Sequence, residues 1–449
     1  MLKRLFKLLS SRATSAVQDG PLVLPRDQHN ISRRDISPGA LKIMRILRDG
    51  GYEAYLVGGG VRDLLLGGHP KDFDVGTNAK PEQIKRLFRS ARIIGRRFQI
   101  VHVRMGRELI EVTTFRGHHN AERTDEGMLL RDNVYGDMES DAMRRDFTIN
   151  ALYYSLDGFT VHDYTGGLRD LKNRTLRIIG DPETRYKEDP VRMLRAVRFA
   201  AKLGFSIEPK TAEPIFEVGE MLRNIPPARL FEEVLKLFMN GSATATFQLL
   251  QEYQLLGHLF PGTDEVLQSG DLHAQGLIEA TMTNTDKRIR ASKPVTPAFI
   301  YAALLWPPVQ IRERELAEQM PPNIAHNQAA QEVIGQQLAH TSIPKRFLIP
   351  MRDIWDLQHR LAKRHGQRAW RLMDHMRFRA AYDFVLMREA SGEKLDGLGD
   401  WWTKFQAVDD EERQRMVNNL GREPGAGRNK RRRRRKPRRS DTTPGEQDS

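Results

Sequence analysis

Residues Leu56–Val75 read LVGGGVRDLLLGGHPKDFDV. The apolar Tyr55-Leu56-Val57 has the length and character of a buried strand. It breaks at Gly58-Gly59-Gly60, where missing Cβ atoms let backbone amides turn sharply and approach a ligand. Val61–Leu66 then predicts one or two helical turns, closed by Gly67-Gly68. A strand, a glycine turn and a helix start together offer free N–H groups to a phosphate. Lys71-Asp72-Phe73-Asp74-Val75 predicts a second strand, along which side chains alternate. Asp72 and Asp74 therefore share a face, with Phe73 turned to the core. Two adjacent carboxylates repel and need a counter-charge, and Mg²⁺ is a common one.

The flanking chain predicts more of the same α/β unit. Ser37-Pro38 reads as an N-cap with proline in the first turn, opening a helix with Leu41, Met44 and Leu47 on its apolar face. Ile43 and Ile46 widen that face, and Gly50-Gly51 ends the helix. Lys80-Pro81-Glu82-Gln83 opens another helix, with Ile84, Leu87 and Phe88 inward. Residues Ile93–Val103 predict one strand with a basic start, joined through Met105-Gly106-Arg107 to a second strand over Leu109–Phe115. Glu111 stands among apolar and β-branched residues, where a carboxylate needs a charged partner. It reads as a third acid brought beside Asp72 and Asp74; the alternative is a surface-facing Glu on an edge strand. The polar run 116–143 reads as a long loop, and His118-His119 as its polar residues rather than metal ligands.

Arg144-Arg145-Asp146-Phe147-Thr148 is the second motif. Arg145 can neutralise triphosphate oxygens, and Asp146 can hold a ribose hydroxyl or join a metal cluster. Phe159–Tyr164 and the turn Thr165-Gly166-Gly167 complete the α/β unit. His162-Asp163 lacks the further histidines and aspartate of a metal phosphohydrolase site. From about residue 181 the pattern becomes helical. Asp189 reads as an N-cap with Pro190 after it, and Arg192, Arg195 and Arg198 form a basic stripe. Residues 241–420 read as helices separated by Pro261-Gly262, Pro307-Pro308, Pro321-Pro322 and Pro344. Between residues 344 and 379 basic side chains interleave with Trp355 and Trp370; such tryptophans are more often core anchors than base-stacking platforms.

Composition narrows the function class. The 449 residues are 39% hydrophobic and 29% charged, suiting several soluble domains, and no stretch is apolar enough to span a bilayer. The absence of cysteine excludes disulfides, thiolate metal sites and cysteine nucleophiles, and fits a reducing cytoplasm. A net charge of +14 points to a polyanionic partner, without separating nucleic acid from an anionic membrane. Residues 422–449 hold eleven basic residues against four acidic ones. That local +7 is half of the chain's excess, so this tail should stay flexible until a polyanion, most simply RNA, binds. Met1–Leu9, MLKRLFKLL, is a short basic amphipathic stretch that reads as a leader or a weak membrane-surface helix.

The glycine turn followed by Arg62 and Asp63, together with the Asp72-Phe73-Asp74 strand, resembles the signature of the class II nucleotidyltransferases of the polymerase-beta-like superfamily. Arg144–Thr148 matches that family's Arg-Arg-Asp-Phe-Thr motif residue for residue. The group includes bacterial poly(A) polymerases and tRNA CCA-adding enzymes, and the resemblance covers residues 37–420, most strongly 50–240. It implies an α+β chain: a flexible arm (1–36), a mixed-sheet nucleotidyltransferase domain (37–180), an all-α neck (181–240), an RNA-binding helical body and leg (241–420) and a disordered tail (421–449).

The resemblance also implies roles. Asp72, Asp74 and Glu111 would hold two Mg²⁺ ions, and Asp146 would be catalytic or ribose-binding. Gly58, Gly59 and Arg62 would hold the leaving pyrophosphate, with Arg145 on the triphosphate. Asp189 and Arg192, with Arg195 nearby, would read the base, supported by Arg229 and Glu232. Gly95-Arg96-Arg97-Phe98 with His102, then Phe115-Arg116-Gly117-His118-His119, and the basic extension favour the poly(A) polymerase subgroup. The expected function is template-independent transfer of AMP from ATP to RNA 3′ ends, in RNA polyadenylation and mRNA turnover. RNA, ATP and RNA-decay proteins are the implied partners, in the cytoplasm, without integral membrane association. A CCA-adding enzyme that also needs CTP, and an RNA-binding protein without turnover, are the alternatives.

Overall fold

The computed structural model describes residues 20–95, 99–117, 122–123, 129–131 and 134–420. The leader Met1–Leu9, Arg96-Arg97-Phe98, His118-His119 and the tail from residue 421 lie outside the described residues. An eight-stranded mixed sheet organises the N-terminal half. Its strands are β1 (Leu22–Leu24), β2 (Ala54–Val57), β3 (Asp74–Thr77), β4 (Arg92–Ile94), β5 (Ile100–Met105), β6 (Glu108–Thr114), β9 (Leu152–Ser155) and β10 (Val161–Asp163). The short β7 (Glu122–Arg123) and β8 (Leu129–Arg131) pair with each other instead. The order is β1-β10-β9-β2-β3-β6-β5-β4, and β3 with β6 is its parallel pair.

Local chemistry accounts for the elements next to the site. Ser37 accepts a hydrogen bond from Ala40 N at 3.0 Å and so caps the helix Pro38–Asp49, whose Ile43, Met44 and Leu47 are buried. Glu108 Oε2 accepts from Ser37 Oγ and Gly39 N, locking that helix to β6. Gln83 reaches back to Lys80 N and fixes the start of the helix Pro81–Leu87.

Four sequence expectations are corrected. The chain over 93–103 is two antiparallel strands, because Gly95 adopts φ +86° and turns it, setting Arg92 opposite His102. Residues 20–36 are not a free arm: β1 pairs with β10 at the sheet edge, and Ile31 and Ile36 enter the core. The helix expected at Asp189-Pro190 runs Val191–Leu203, and the Asp189 carboxylate pairs with Arg229 rather than capping it. Pro307-Pro308 does not separate helices but lies inside the single helix Pro297–Ala317. A proline at 308 removes the bond to Leu304 O, and Thr263 Oγ1 donates to that carbonyl at 2.6 Å.

One hydrophobic cluster continues from the sheet through the helices as far as Trp355 and Phe384, so sheet and neck share a core. A second gathers Leu357, Trp402, Phe405 and their neighbours at the end of the helical region. A third and smaller one, Val57, Phe115, Ala142, Tyr153 and Ile179, lies under the candidate site. Trp355 is fully buried and donates Nε1–H to Ala302 O at 3.0 Å, a core anchor rather than a base platform. No helix among the described residues is long and apolar enough to cross a membrane.

Candidate active site

β2 and β3 are antiparallel neighbours, so the glycine turn that follows Val57 sits beside the carboxylate at the start of β3. Gly58 has φ +71° and ψ −136°, a conformation essentially confined to glycine. A Cβ there would stand 3.3 Å from Arg145 Nη1, so the first motif lies directly against the second. The strand begins at Asp74, with Asp72 just ahead of it; Phe73 is 5% exposed while both acids are more open, as alternation requires. Asp74 pairs in register with Glu111 across the parallel β3–β6 ladder, which puts their backbones about 4.8 Å apart with side chains on one face. β6 is interior to the sheet, so Glu111 is not on an edge strand.

Electrostatics record this crowding. Burial, and then the Glu111 charge, push the Asp74 carboxyl up to about 6, with Asp72 adding to the rise and Arg145 opposing it. Glu111 Oε1 lies 3.2 Å from His102 Nε2, its cross-strand neighbour on β5. Three carboxylates gathered at neighbouring positions of two paired strands form a donor set suited to hard divalent cations. As they stand their oxygens are spread: among the described residues, the group whose ligand atoms all lie within 4.8 Å of one another is a different one, Glu313, His326 and His359.

Beside this acidic face lies a concentration of arginines. Burial, then the charges of Arg116, Arg185, Arg192 and Arg145, push the Arg144 guanidinium down to about 9. Arginine stays protonated at neutral pH in any case, and the part of the shift that comes from its arginine neighbours is repulsion that a polyanion would relieve. Arg145 is fixed by Asp141 Oδ2, which accepts from its Nη2 at 2.9 Å, and by the Tyr153 hydroxyl at 3.0 Å from Nε. Burial would push Arg145 down, but Tyr153 and Asp141 outweigh it and the group is held above its ordinary value.

A chain of hydrogen bonds joins the sequence motifs. Arg62 is 3% exposed, with Nε donating to Asp63 and Nη1 donating to Asn150 Oδ1 at 2.6 Å. Asn150 Nδ2 donates to Asp146 Oδ1 at 3.1 Å, and Arg195 Nε donates to Asp146 Oδ2 at 2.7 Å. Burial would raise the Asp146 carboxyl, but Arg195 and these bonds hold it down at about 2. Arg185 clamps the second motif by donating Nη2–H to the carbonyls of Arg144 and Arg145, while Glu188 bridges Arg185 and Arg192. Arg62, Asp146 and Arg192 thus make their contacts within the protein framework. Arg229 Nη2 donates to both carboxylate oxygens of Asp189 at 2.9 Å, with the carboxylate 24% and the guanidinium 35% exposed. Glu232, named with Arg229, is exposed beside the buried Glu233.

Asp141, Asn150, Tyr153 and Arg185 escape the sequence reading. The signal for Asp141 and Asn150 is their spacing, four residues before Arg145 and four after Asp146. Tyr153 and Arg185 gain their roles through tertiary contact and carry no such signal. Asp163, beside His162, accepts from four successive amides of 165–168, a turn and cap role that fits no metal site.

Comparison with known proteins decides the family. Residues 54–177 match the family described as "Poly A polymerase head domain", 204–267 "Probable RNA and SrmB- binding site of polymerase A", and 318–440 "Polymerase A arginine-rich C-terminus". Poly(A) polymerase I of Escherichia coli O6:H1 is 51% identical over 435 residues, covering 94% of this chain and 93% of its own. The chain belongs to the bacterial poly(A) polymerase family. Members of that family are nucleotidyltransferases, and the mixed sheet with its helical extension is shared with tRNA-processing relatives. The CCA-adding enzyme of Lactobacillus helveticus is 41% identical, but over 52% of this chain and 58% of its own. The crystal structure of Bacillus stearothermophilus CCA-adding enzyme in complex with CTP is 27% identical, with a TM-score of 0.56, covering 86% of this chain and 84% of that one. Poly(A) polymerase relatives therefore match nearly the whole chain, and this CCA-adding relative about half of it.

Proposed function

We propose that this poly(A) polymerase family member adds AMP from ATP to RNA 3′ ends without a template, and that Asp72, Asp74 and Glu111 hold two Mg²⁺ ions for the transfer. The observation that carries the reading is the meeting of two unlike poles: Asp74 in register with Glu111 and just after Asp72, its carboxyl lifted to about 6 by burial and then by the Glu111 charge, and beside them Arg144 among Arg116, Arg185, Arg192 and Arg145, its guanidinium depressed to about 9 by burial and then by those charges. A nucleoside triphosphate with its cations relieves both. When bound, two divalent cations supply the charge that activates the RNA 3′-hydroxyl and stabilises the transferred phosphoryl group.

The chain's own residues do the rest. Asp74, ionised at neutral pH, and Glu111, steadied by His102, hold the cation face of the sheet. The Gly58 turn admits phosphate to the backbone, and Arg145 is aimed at it by Asp141 and Tyr153. The 3′-hydroxyl gives its proton to solvent, its oxygen bonds to the α-phosphorus as the α-phosphorus bond to the bridging oxygen of the β-phosphate breaks, and pyrophosphate leaves toward the arginines. Arg62 and Asp146, joined through Asn150, hold the glycine turn, the second motif and Arg195 in register, and Asp146 is the candidate for the ribose contact. Asp189 and its partner Arg229, both partly exposed, are the carboxylate and guanidinium that can match an adenine edge, while Arg192 on Glu188 and Arg195 on Asp146 would take part only by leaving those partners.

RNA is held by the helical region and the basic tail, RNA-decay proteins are the expected protein partners, and the compartment is the cytoplasm. The description attached to residues 204–267 supports the RNA assignment. Asp72→Ala tests the cation face: AMP incorporation should vanish while RNA affinity, read by filter binding, stays within about twofold. Incorporation that survives in this variant sinks the assignment.

A further inference from the structure

A second polar cluster lies far along the chain from the motifs, where three helices of the C-terminal half meet. Glu313 comes from the helix Pro297–Ala317, His326 from Pro322–Gln337, and His359 from Lys345–Ala362. Glu313 Oε2 is 2.8 Å from His326 Nδ1, Glu313 Oε1 is 3.2 Å from His359 Nε2, and the two imidazole nitrogens are 3.1 Å apart. One nitrogen from each ring and one carboxylate oxygen thus lie within 4.8 Å of one another. In a tetrahedral site with bonds of about 2.0–2.1 Å, ligand atoms stand about 3.3 Å apart, close to these separations.

We propose that Glu313, His326 and His359 form a binding site for a divalent transition-metal ion of the zinc class, which ties these three helices together. The two imidazoles are borderline nitrogen donors that favour zinc over magnesium, and zinc accepts the carboxylate beside them. The remote nitrogen supports this. His326 is 4% exposed and its Nε2 lies 3.4 Å from Asp356 Oδ1, the carboxylate–histidine arrangement that orients a metal-bound ring. Asp356 is a positioning residue, since it reaches the ion only through His326.

A protonated histidine is the competing way to fill the cluster. A proton satisfies one nitrogen of the facing pair and leaves the second facing it; an ion satisfies both together with the carboxylate. Ion uptake therefore displaces a proton. Three protein ligands leave a fourth position, and Glu313 and His359 line a cavity of about 680 Å³ through which water reaches it. Arg388, on that wall and over the Trp306 ring, is neutralised by Glu393 at 2.6 Å.

The test uses the full chain stripped with EDTA and then held in saturating Mg²⁺, so that oxygen-only sites are filled. Co²⁺, the spectroscopic probe, should bind one equivalent with the intense d–d absorption of a four-coordinate, nitrogen-ligated ion, and Zn²⁺ should displace it. His359 is 45% exposed, so His359→Gln leaves the core intact. It should abolish the band and the zinc-dependent rise in melting temperature, with Mg²⁺-supported RNA extension unchanged. Asp356→Asn should weaken Co²⁺ binding about 10–100-fold. Absence of the band in the wild-type chain, or its persistence in His359→Gln, overturns the proposal.

Discussion

Replacing Asp74 by Asn removes a negative charge from a crowded, partly buried face while keeping the side chain's shape. The magnitude follows from the carboxyl's rise from 3.8 to about 6, driven first by burial and then by Glu111. That rise corresponds to at most about 3 kcal/mol, and residual solvent screening lowers it. The sign is set by linkage. A carboxylate whose folded-state value is raised binds protons more tightly folded than unfolded, so it costs stability as pH rises from about 4 to 6 and costs the full amount above. In EDTA at pH 8, Asp74→Asn should therefore be more stable than wild type by about 1–3 kcal/mol, although it cannot support AMP transfer. The advantage should shrink as pH falls through 6 and vanish near pH 4. Chemical denaturation of both proteins across this range, with and without Mg²⁺, measures it; Mg²⁺ should stabilise the wild type more than the variant. An Asp74→Asn protein less stable than wild type at pH 8 in EDTA, or a difference that ignores pH, would refute the reasoning.

Other consequences are as direct. Arg195→Ala strips the buried Asp146 of its cation and should cost about 3–5 kcal/mol, visible as a lower urea midpoint; an unchanged midpoint would show that Asp146 does not depend on the pair. Gly58→Ala forces a side chain into a conformation reserved for glycine and against Arg145, so it should lose about 1–3 kcal/mol and raise the KM for ATP, both measured on one preparation. Trp355→Phe removes the bond to Ala302 O and some packing, lowering stability by about 1–3 kcal/mol while RNA affinity in gel-shift titration stays constant; a loss of affinity without a loss of stability would return Trp355 to a base-stacking role.

The parts of this site that follow a local rule are legible in the sequence. Alternation puts Asp72 and Asp74 on one face with Phe73 inward, and an apolar setting marks Glu111 as a carboxylate in need of company; β6 supplies it in register with Asp74. Capping chemistry gives the helices at Ser37 and Lys80 because those bonds are made within four residues. Longer-range decisions are not legible. Whether Arg192 faces a base or Glu188, and whether Asp189 caps a helix or pairs with Arg229 forty residues on, depends on how helices pack. Pro307-Pro308 reads as a break because proline removes amide donors, and only Thr263, far away in sequence, answers one of the freed carbonyls. The Glu313, His326 and His359 cluster was hidden for the same reason: three isolated residues on three helices have no spacing to read.

The central claim is tested most directly by incubating the protein with an unstructured single-stranded RNA, Mg²⁺ and one nucleoside triphosphate at a time. ATP alone should give a long ladder of extended products, and CTP almost none. No ladder on that RNA, with addition of C, C and A to a truncated tRNA, would contradict the account and make the chain a CCA-adding enzyme.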